Sequence, residues 1–249
     1  SRNRSKFEEI GVKVLLAAED SIIELVKNKS DFYEECRKHS IVEIPEYYRV
    51  ESEEEFKRAY QEMKSKNKIV CYKPEVSEGG LDFRVIYEDK KDEKYGDNLI
   101  SYERAKVKFA DKKGSGKIMV MEYLDGPEYS IDCLANNGKI LAAIPRKKEG
   151  WDRVLENREE LINVAEKMAE IYNFSYVFNV QVKYSNGIPK LLEVNPRMSG
   201  GLHVSCMSGI NFPYLAVKVL NKEKVEIPVP KFGIVQNTMK VSGKVRGKG

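Results

Sequence analysis

The sequence predicts a soluble, globular chain of mixed helices and strands. Three features carry that expectation: helical spacing at 52–63 and 158–172, a nearly continuous apolar run at Ile118–Leu124, and strand pairs folded about Asn137-Gly138 and Asn186-Gly187. At 249 residues, 41% of them hydrophobic and 33% charged, the chain can bury a substantial core and has room for two compact units. Lys and Arg number 43 against 39 acidic residues, a net charge of +4. No basic cluster marks a phosphate-tracking stripe, which argues against nucleic acid and leaves a weak pull on anionic substrates.

Taken in order, Val12–Ala17 reads as a short buried strand, followed by helices at Asp20–Lys27 and Ser30–Lys38. Ser52 and Glu55 form a capping box, and Phe56, Ala59, Tyr60 and Met63 recur at helical spacing behind it. A strand at Lys68–Lys73 is stopped by Pro74. Glu75–Asp82, with Gly79-Gly80, reads as a mobile loop, Phe83–Tyr87 as a strand, and the charged Glu88–Asp97 as a solvated loop. Tyr102–Ala110 reads as a helix, and Ile118–Leu124 as a strand covered on both faces. Ser130–Ala135 and Lys139–Ile144 flank Asn137-Gly138, a register that sets Ile131 opposite Ile144 and Leu134 opposite Leu141. In the helix at Arg158–Tyr172, Leu161, Ala165, Met168 and Tyr172 share one stripe.

Cys36, Cys71, Cys133 and Cys206 are far apart and form no C-x-x-C pair. With no signal peptide evident, they read as reduced cytoplasmic thiols. No apolar run approaches the roughly 20 residues of a membrane-spanning helix. Two histidines, His39 and His203, leave little room for a histidine metal centre or a nucleophile–His–acid triad. Chemistry must rest on carboxylates, amides, Lys, Arg and a bound ion.

The pair of strands in Tyr176–Arg197 is the most informative stretch. A two-residue Asn186-Gly187 loop would pair Val180 with Glu193 and Gln181 with Leu192, setting polar against apolar side chains. A three-residue loop, Ser185-Asn186-Gly187, instead pairs Val180 with Leu192 and Phe178 with Val194, so the apolar match favours the longer loop with Gly187 left-handed. Gln181, Glu193 and Asn195 then share the opposite face, an oxygen-rich set suited to a hard cation such as magnesium, completed by substrate phosphates. On these residues alone, an ordinary hairpin with a wet polar face is the simpler reading.

The flanks change that weighting. Glu193-Val194-Asn195-Pro196-Arg197, followed by Ser199-Gly200-Gly201, resembles the signature of the ATP-grasp superfamily, above all the carbamoyl-phosphate-synthase-like carboxylate–amine ligases. The resemblance implies that Gln181, Glu193 and Asn195 hold Mg2+ (or Mn2+) and that Arg197 meets the transferring phosphoryl group. It further implies that Lys73, at the end of Ile69–Pro74, meets the nucleotide phosphates under the loop Glu75–Asp82. Met121–Ser130 resembles the family's hinge, with Glu122 and the backbone around Tyr123 and Leu124 at the adenine and Glu128 at the ribose. Asn28-Lys29-Ser30-Asp31-Phe32 resembles its D-K-x-x-F segment and offers Lys29 to phosphate, although Asn28 replaces the Asp. Arg146 falls where relatives place a basic residue near phosphate or substrate. Lys147 and Lys148 read as a solvated run, Trp151 as a loop or packing aromatic, and His203 as either a packed residue or an acceptor contact.

The resemblance covers about 28–220 and implies an α+β ATP-grasp fold, nucleotide held between a small lid and a larger sheet-based core. The expected units are 1–40 completing the core, 41–121 as the lid, and 122–249 as the core with the metal and nucleotide site. Relatives carry a full domain ahead of the position of Lys29; here it is absent from the sequence, supplied by another chain, or not needed. If it is missing, an apolar surface near Val12–Leu16 open to a homodimer or partner chain is expected. The implied function is an ADP-forming ligase that activates a carboxylate with ATP for attack by an amine or a thiol. An ATP-binding regulatory module without independent catalysis is the alternative.

Overall fold

The computed structural model describes residues 3–76, 82–88, 96, 98–110 and 117–237. The predicted Gly79-Gly80 loop and most of the charged segment 88–97 lie outside the described residues. The chain opens with α1 (Arg4–Glu9), α2 (Asp20–Lys27) and α3 (Lys29–Lys38). The Asn28 side chain accepts from the backbone N–H groups of Ser30 and Asp31, so a capping amide starts α3 one residue earlier than expected. The buried strand expected at Val12–Ala17 is not formed. That segment pairs with no strand, Val12 and Leu15 are 45% and 37% exposed, and burial begins at Ala17. An apolar run becomes a strand only where an edge receives its backbone groups; the Ser175 N–H donates to the Ala17 carbonyl at 2.7 Å, but no ladder forms along 12–17.

The next stretch builds β1 (Tyr47–Val50), α4 (Glu53–Ser65), β2 (Val70–Pro74), β3 (Arg84–Tyr87), β4 (Leu99–Ser101), α5 (Tyr102–Ala110) and β5 (Ile118–Glu122). Its five strands form one sheet in the order β1-β5-β2-β3-β4. Ser52 caps α4 through Oγ to the Glu55 N–H at 3.2 Å, while the Glu55 carboxylate returns to the N–H of Glu51, one residue before the cap. Val70, Tyr72, Ile118 and Val120 pack with α4 and α5, where Phe56 stacks on Phe109 at 4.3 Å. Cys71, Met119 and Met121, alternating with them, join the core of the larger unit. Burial on both sides is why β5 reads as a continuous apolar run.

The larger unit contains β6 (Glu128–Asn136), β7 (Lys139–Glu149), β8 (Asp152–Leu155), α6 (Glu159–Tyr172), β9 (Tyr176–Ser185), β10 (Ile188–Asn195), α7 (Leu202–Cys206), α8 (Phe212–Leu220) and β11 (Val235–Asn237). Six antiparallel strands run in the order β10-β9-β6-β7-β8-β11. Ile131, Cys133, Phe178, Val180 and Val182 pack with α6 and with Phe32 and Tyr33 of α3. Leu134 and Val177, pointing the other way, pack with Leu202, Phe212 and Leu215 of α7 and α8. Trp151 is 60% exposed in the β7–β8 turn.

Both Asn-Gly turns are two-residue turns with both residues left-handed, φ 47° and 80° at Asn137 and Gly138, 51° and 77° at Asn186 and Gly187. The three-residue loop expected at 185–187 is therefore corrected: Ser185 pairs with Ile188. A bulge then inserts Leu192, so that Leu191 faces Val182 while Glu193 faces Gln181 and Val194 faces Val180. The apolar mismatch that argued against the short loop is resolved inside β10 instead of at the turn. The first hairpin repeats the device. A register shift between Leu134 and Ala135 sets Leu134 against Ala142 and Ile131 against Pro145, not against Leu141 and Ile144.

Candidate active site: a cleft between the two sheets

Register alone builds a polar surface on the large sheet. Lys148, Glu128 and Lys183 lie side by side across β7, β6 and β9, as do Arg146, Ser130 and Gln181 one step along. Glu193 on β10 extends the second row, and Asn195, opposite Asn179, extends the next. Without the Leu192 bulge, Glu193 would point into the core with Val180 and Val182, because a one-residue slip reverses the face. The extra residue also frees the Leu192 carbonyl, which accepts from Tyr33 Oη at 2.7 Å and Lys73 Nζ at 3.3 Å.

This surface faces the small sheet across a cleft of about 760 Å3. Lys29, Lys73, Glu122, Tyr123, Leu124, Glu128, Gln181, Glu193, Asn195 and Arg197 all line it, so the fold brings these ten predicted residues to one place. Gln181, Glu193 and Asn195 are half-buried and share a face, with Asn195 Nδ2 donating to Glu193 Oε1 at 2.9 Å. Arg197 is exposed at the rim, its Nη1 donating to the Met198 carbonyl at 3.0 Å. Lys29 and Lys73 are buried. Burial pushes Lys73 down to about 8 despite the opposing fields of Cys71 and Glu193, and it lowers Lys29, helped by the charge of Lys73. Two desolvated ammonium groups beside a single carboxylate make a strong seat for a polyanion.

At the other end, the Glu122 carboxylate, 1% exposed, is held between Lys68 at 2.7 Å and Lys190, and accepts from the Glu46 N–H at 2.9 Å. Burial alone would raise its pKa, but the hydrogen bonds from Lys190 and Lys68 hold it below the ordinary value. Tyr123 lies under Lys183, whose Nζ is 4.4 Å from the ring centroid and 3.2 Å from Oη. Glu128 is paired with Lys148. Gly126 permits a close approach: its N–H donates to the Tyr184 carbonyl at 2.9 Å, and a Cβ there would lie 2.8 Å from that oxygen.

Sequence reasoning missed Lys68, Lys190, Lys183 and Tyr33, and it read Lys148 as solvated. Alternation on β9 and β10 puts Lys183 and Lys190 on the polar face, a signal that the correct register would have exposed. Arg146 does not line the cleft but lies buried beneath it, paired with Asp132 at 3.3 Å. His203 is exposed on α7, outside the cleft. Burial pushes the thiols of Cys36 and Cys71 up to about 12, which removes both as nucleophiles near neutral pH. Among the described residues no group of three His, Cys, Asp or Glu side chains could hold a metal, and no helix is long and apolar enough to cross a membrane. An amide–carboxylate–amide set of oxygen donors suits a hard divalent cation whose remaining positions are filled by phosphate.

Two sheets enclosing a cationic cleft, with an oxygen-bearing face opposite buried lysines, form a clamp of the α+β class suited to a polyanion. The sequence model of the family described as "ATP-grasp in the biosynthetic pathway with Ter operon" matches residues 115–241, and the chain belongs to that family. Mouse (Mus musculus) carnosine synthase 1 is 27% identical over a stretch covering 36% of this chain and 13% of that protein. Among solved structures, N5-carboxyaminoimidazole ribonucleotide synthetase from Thermotoga maritima superposes with a TM-score of 0.62 at 13% identity, covering 94% of this chain and 58% of that one. The biotin carboxylase domain of 2-oxoglutarate carboxylase from Hydrogenobacter thermophilus, in complex with MgADP and bicarbonate, gives a TM-score of 0.69 at 17% identity, covering 94% of this chain and 54% of that one. The chain thus has the ATP-grasp fold and spans little more than half the length of these structures.

Proposed function

We propose that the chain binds Mg-ATP in this cleft and activates a carboxylate as an acyl phosphate for attack by an amine or a thiol, releasing ADP and phosphate. The observation that carries the reading is the convergence of Gln181, Glu193, Asn195 and Arg197 with the buried Lys29 and Lys73 on one cleft. Residues 41–121 act as the lid over the nucleotide, 122–249 hold the metal face, and 1–40 complete the core. A carboxylate oxygen attacks the γ-phosphorus, ADP leaves, and the nucleophile then displaces phosphate from the acyl carbon. Gln181, Glu193 and Asn195 would hold Mg2+, which when bound neutralises charge between the β- and γ-phosphates. Lys29 and Lys73 orient the phosphates, and Arg197 offers a fork of donors to the transferring group. Because the Glu122 carboxylate is already engaged by two lysines, the hinge meets adenine through backbone groups and the side chains of Tyr123 and Leu124. Glu128 accepts from the ribose.

The exposed Phe7, Ile10, Val12 and Leu15 form the surface that a second copy or a partner chain would cover, and mass in solution tests this. Four free cysteines fit a reducing compartment such as the cytoplasm. The deciding experiment is an ADP-release screen over carboxylates paired with amines and thiols. ADP release that requires the carboxylate supports the ligase. Mg-ATP binding without any such release would mark a nucleotide-binding module instead, and failure to bind Mg-ATP would overturn the reading entirely.

A further inference from the structure

Behind the metal face lies a buried polar network whose central pair, Arg146 and Asp132, does not line the cleft but is tied to two residues that do, Gln181 and Ser199. Arg146 is 4% exposed and donates from Nη2 to Ser130 Oγ (3.2 Å), Asp132 Oδ2 (3.3 Å) and Ser199 Oγ (3.3 Å), and from Nε to Ser205 Oγ (3.4 Å). Asp132, fully buried, accepts from Ser205 Oγ at 2.6 Å and, through Oδ1, from Asn179 Nδ2 at 2.9 Å. Asn179 Oδ1 accepts in turn from Gln181 Nε2 at 3.3 Å. At the far end Gly201 leaves the guanidinium its space, since a Cβ there would lie 2.5 Å from three of its atoms. One ion pair therefore holds both segments that carry the site: the strand bearing Gln181, and the turn that follows Arg197.

Burying two charges is costly, and well-packed apolar residues of similar volume are often as stable, so stability alone gives this pair no advantage. What an apolar pair could not do is hydrogen-bond β9 and the 199–201 turn at the same time. We propose that Arg146 and Asp132 are positioning residues that hold Gln181 and the Arg197 turn in mutual register, an outer shell to the metal face. The inference rests on the Mg-ATP reading given above. Outer-shell partners of metal ligands commonly affect metal affinity or activity by about 10–100-fold.

The test measures ATP-analogue binding calorimetrically, with saturating Mg2+ and with EDTA, alongside melting temperature. In Asp132→Leu/Arg146→Met, an apolar pair replaces the ion pair. The expected result is a folded protein with near-native melting and unchanged affinity in EDTA. Its gain in affinity from Mg2+ falls about 10–100-fold. Gly201→Ala removes no polar group yet displaces the guanidinium, so it should lower the Mg2+ gain in the same direction, and it decides the matter if the double variant fails to fold. A metal-dependent gain within about twofold of wild type in the folded variants overturns the positioning role. Absence of any Mg2+-dependent binding in the wild type would instead sink the reading of the site itself.

Discussion

Replacing Lys190 by Met tests how the two sheets are held at the hinge. Glu122 on β5 of the small sheet meets Lys190 on β10 of the large one, 68 residues later, with side-chain exposures of 1% and 16%. Removing the sole partner of a buried charge costs about 3–5 kcal/mol. Here Lys68 at 2.7 Å and the Glu46 N–H at 2.9 Å remain. The loss is one charge-assisted hydrogen bond, about 1.5–3 kcal/mol, while Met keeps most of the packing of the lysine stem. We expect about 2 kcal/mol of destabilisation, a fall of about 4–8 °C in melting temperature for a chain of this size. The sign with pH follows from the lowered pKa of Glu122. Its contribution is present above the ordinary carboxylate value of 4.5 and is lost as pH falls through the lower folded value. The acid limb of the stability curve should therefore be shallower in Lys190→Met. Denaturant titration of Lys190→Met, Glu122→Gln and the double variant supplies the coupling energy. A loss below about 0.5 kcal/mol, or a cycle with no coupling, would refute the clamp.

Glu193→Gln should weaken the Mg2+ dependence of ATP binding by about tenfold, since it removes the one carboxylate on the metal face; calorimetry with and without Mg2+ checks it. Arg197→Ala should leave ATP binding intact but slow ADP formation by about 10²–10³, with Arg197→Lys rescuing in part, because a point charge lacks the fork; full turnover in Arg197→Ala removes that role. Lys73, lowered by burial to about 8 against 10.5 when unfolded, should make the nucleotide-free chain gain stability as pH rises through that window. Over the same range ATP affinity should fall as the ammonium loses its proton, and Lys73→Met should flatten both profiles. Gly126→Ala forces a Cβ to 2.8 Å from the Tyr184 carbonyl, which should cost about 1–3 kcal/mol in denaturant titration.

Much of the element order was legible because its causes are local. A serine cap with an apolar stripe gave α4, Asn-Gly turns gave both hairpins, and a run without polar breaks gave β5 covered on both sides. The ordered segments around Lys73, Glu122–Glu128 and Glu193–Arg197 pointed to a common site, and the fold brings all of them to one cleft. Val12–Ala17 shows where local reasoning ends. Its apolar pattern is that of a strand, but pairing needs an edge elsewhere in the chain, and 11–19 pairs with none.

The sequence by itself determined where the Asn-Gly turns fall, the helices α2 to α6 and the chemical types gathered along one face of each strand. Tertiary structure decided the registers. A bulge at Leu192, not a longer turn, keeps Leu191 in the core while turning Glu193 towards Gln181, because face alternation counts residues and the insertion changes the count. It likewise decided that Glu122 is held by Lys68 and Lys190, and that Arg146 lies beneath the cleft rather than in it. A charged side chain takes the partner that lies nearest once the sheets have packed, and that distance in space is set by contacts spread over the whole chain.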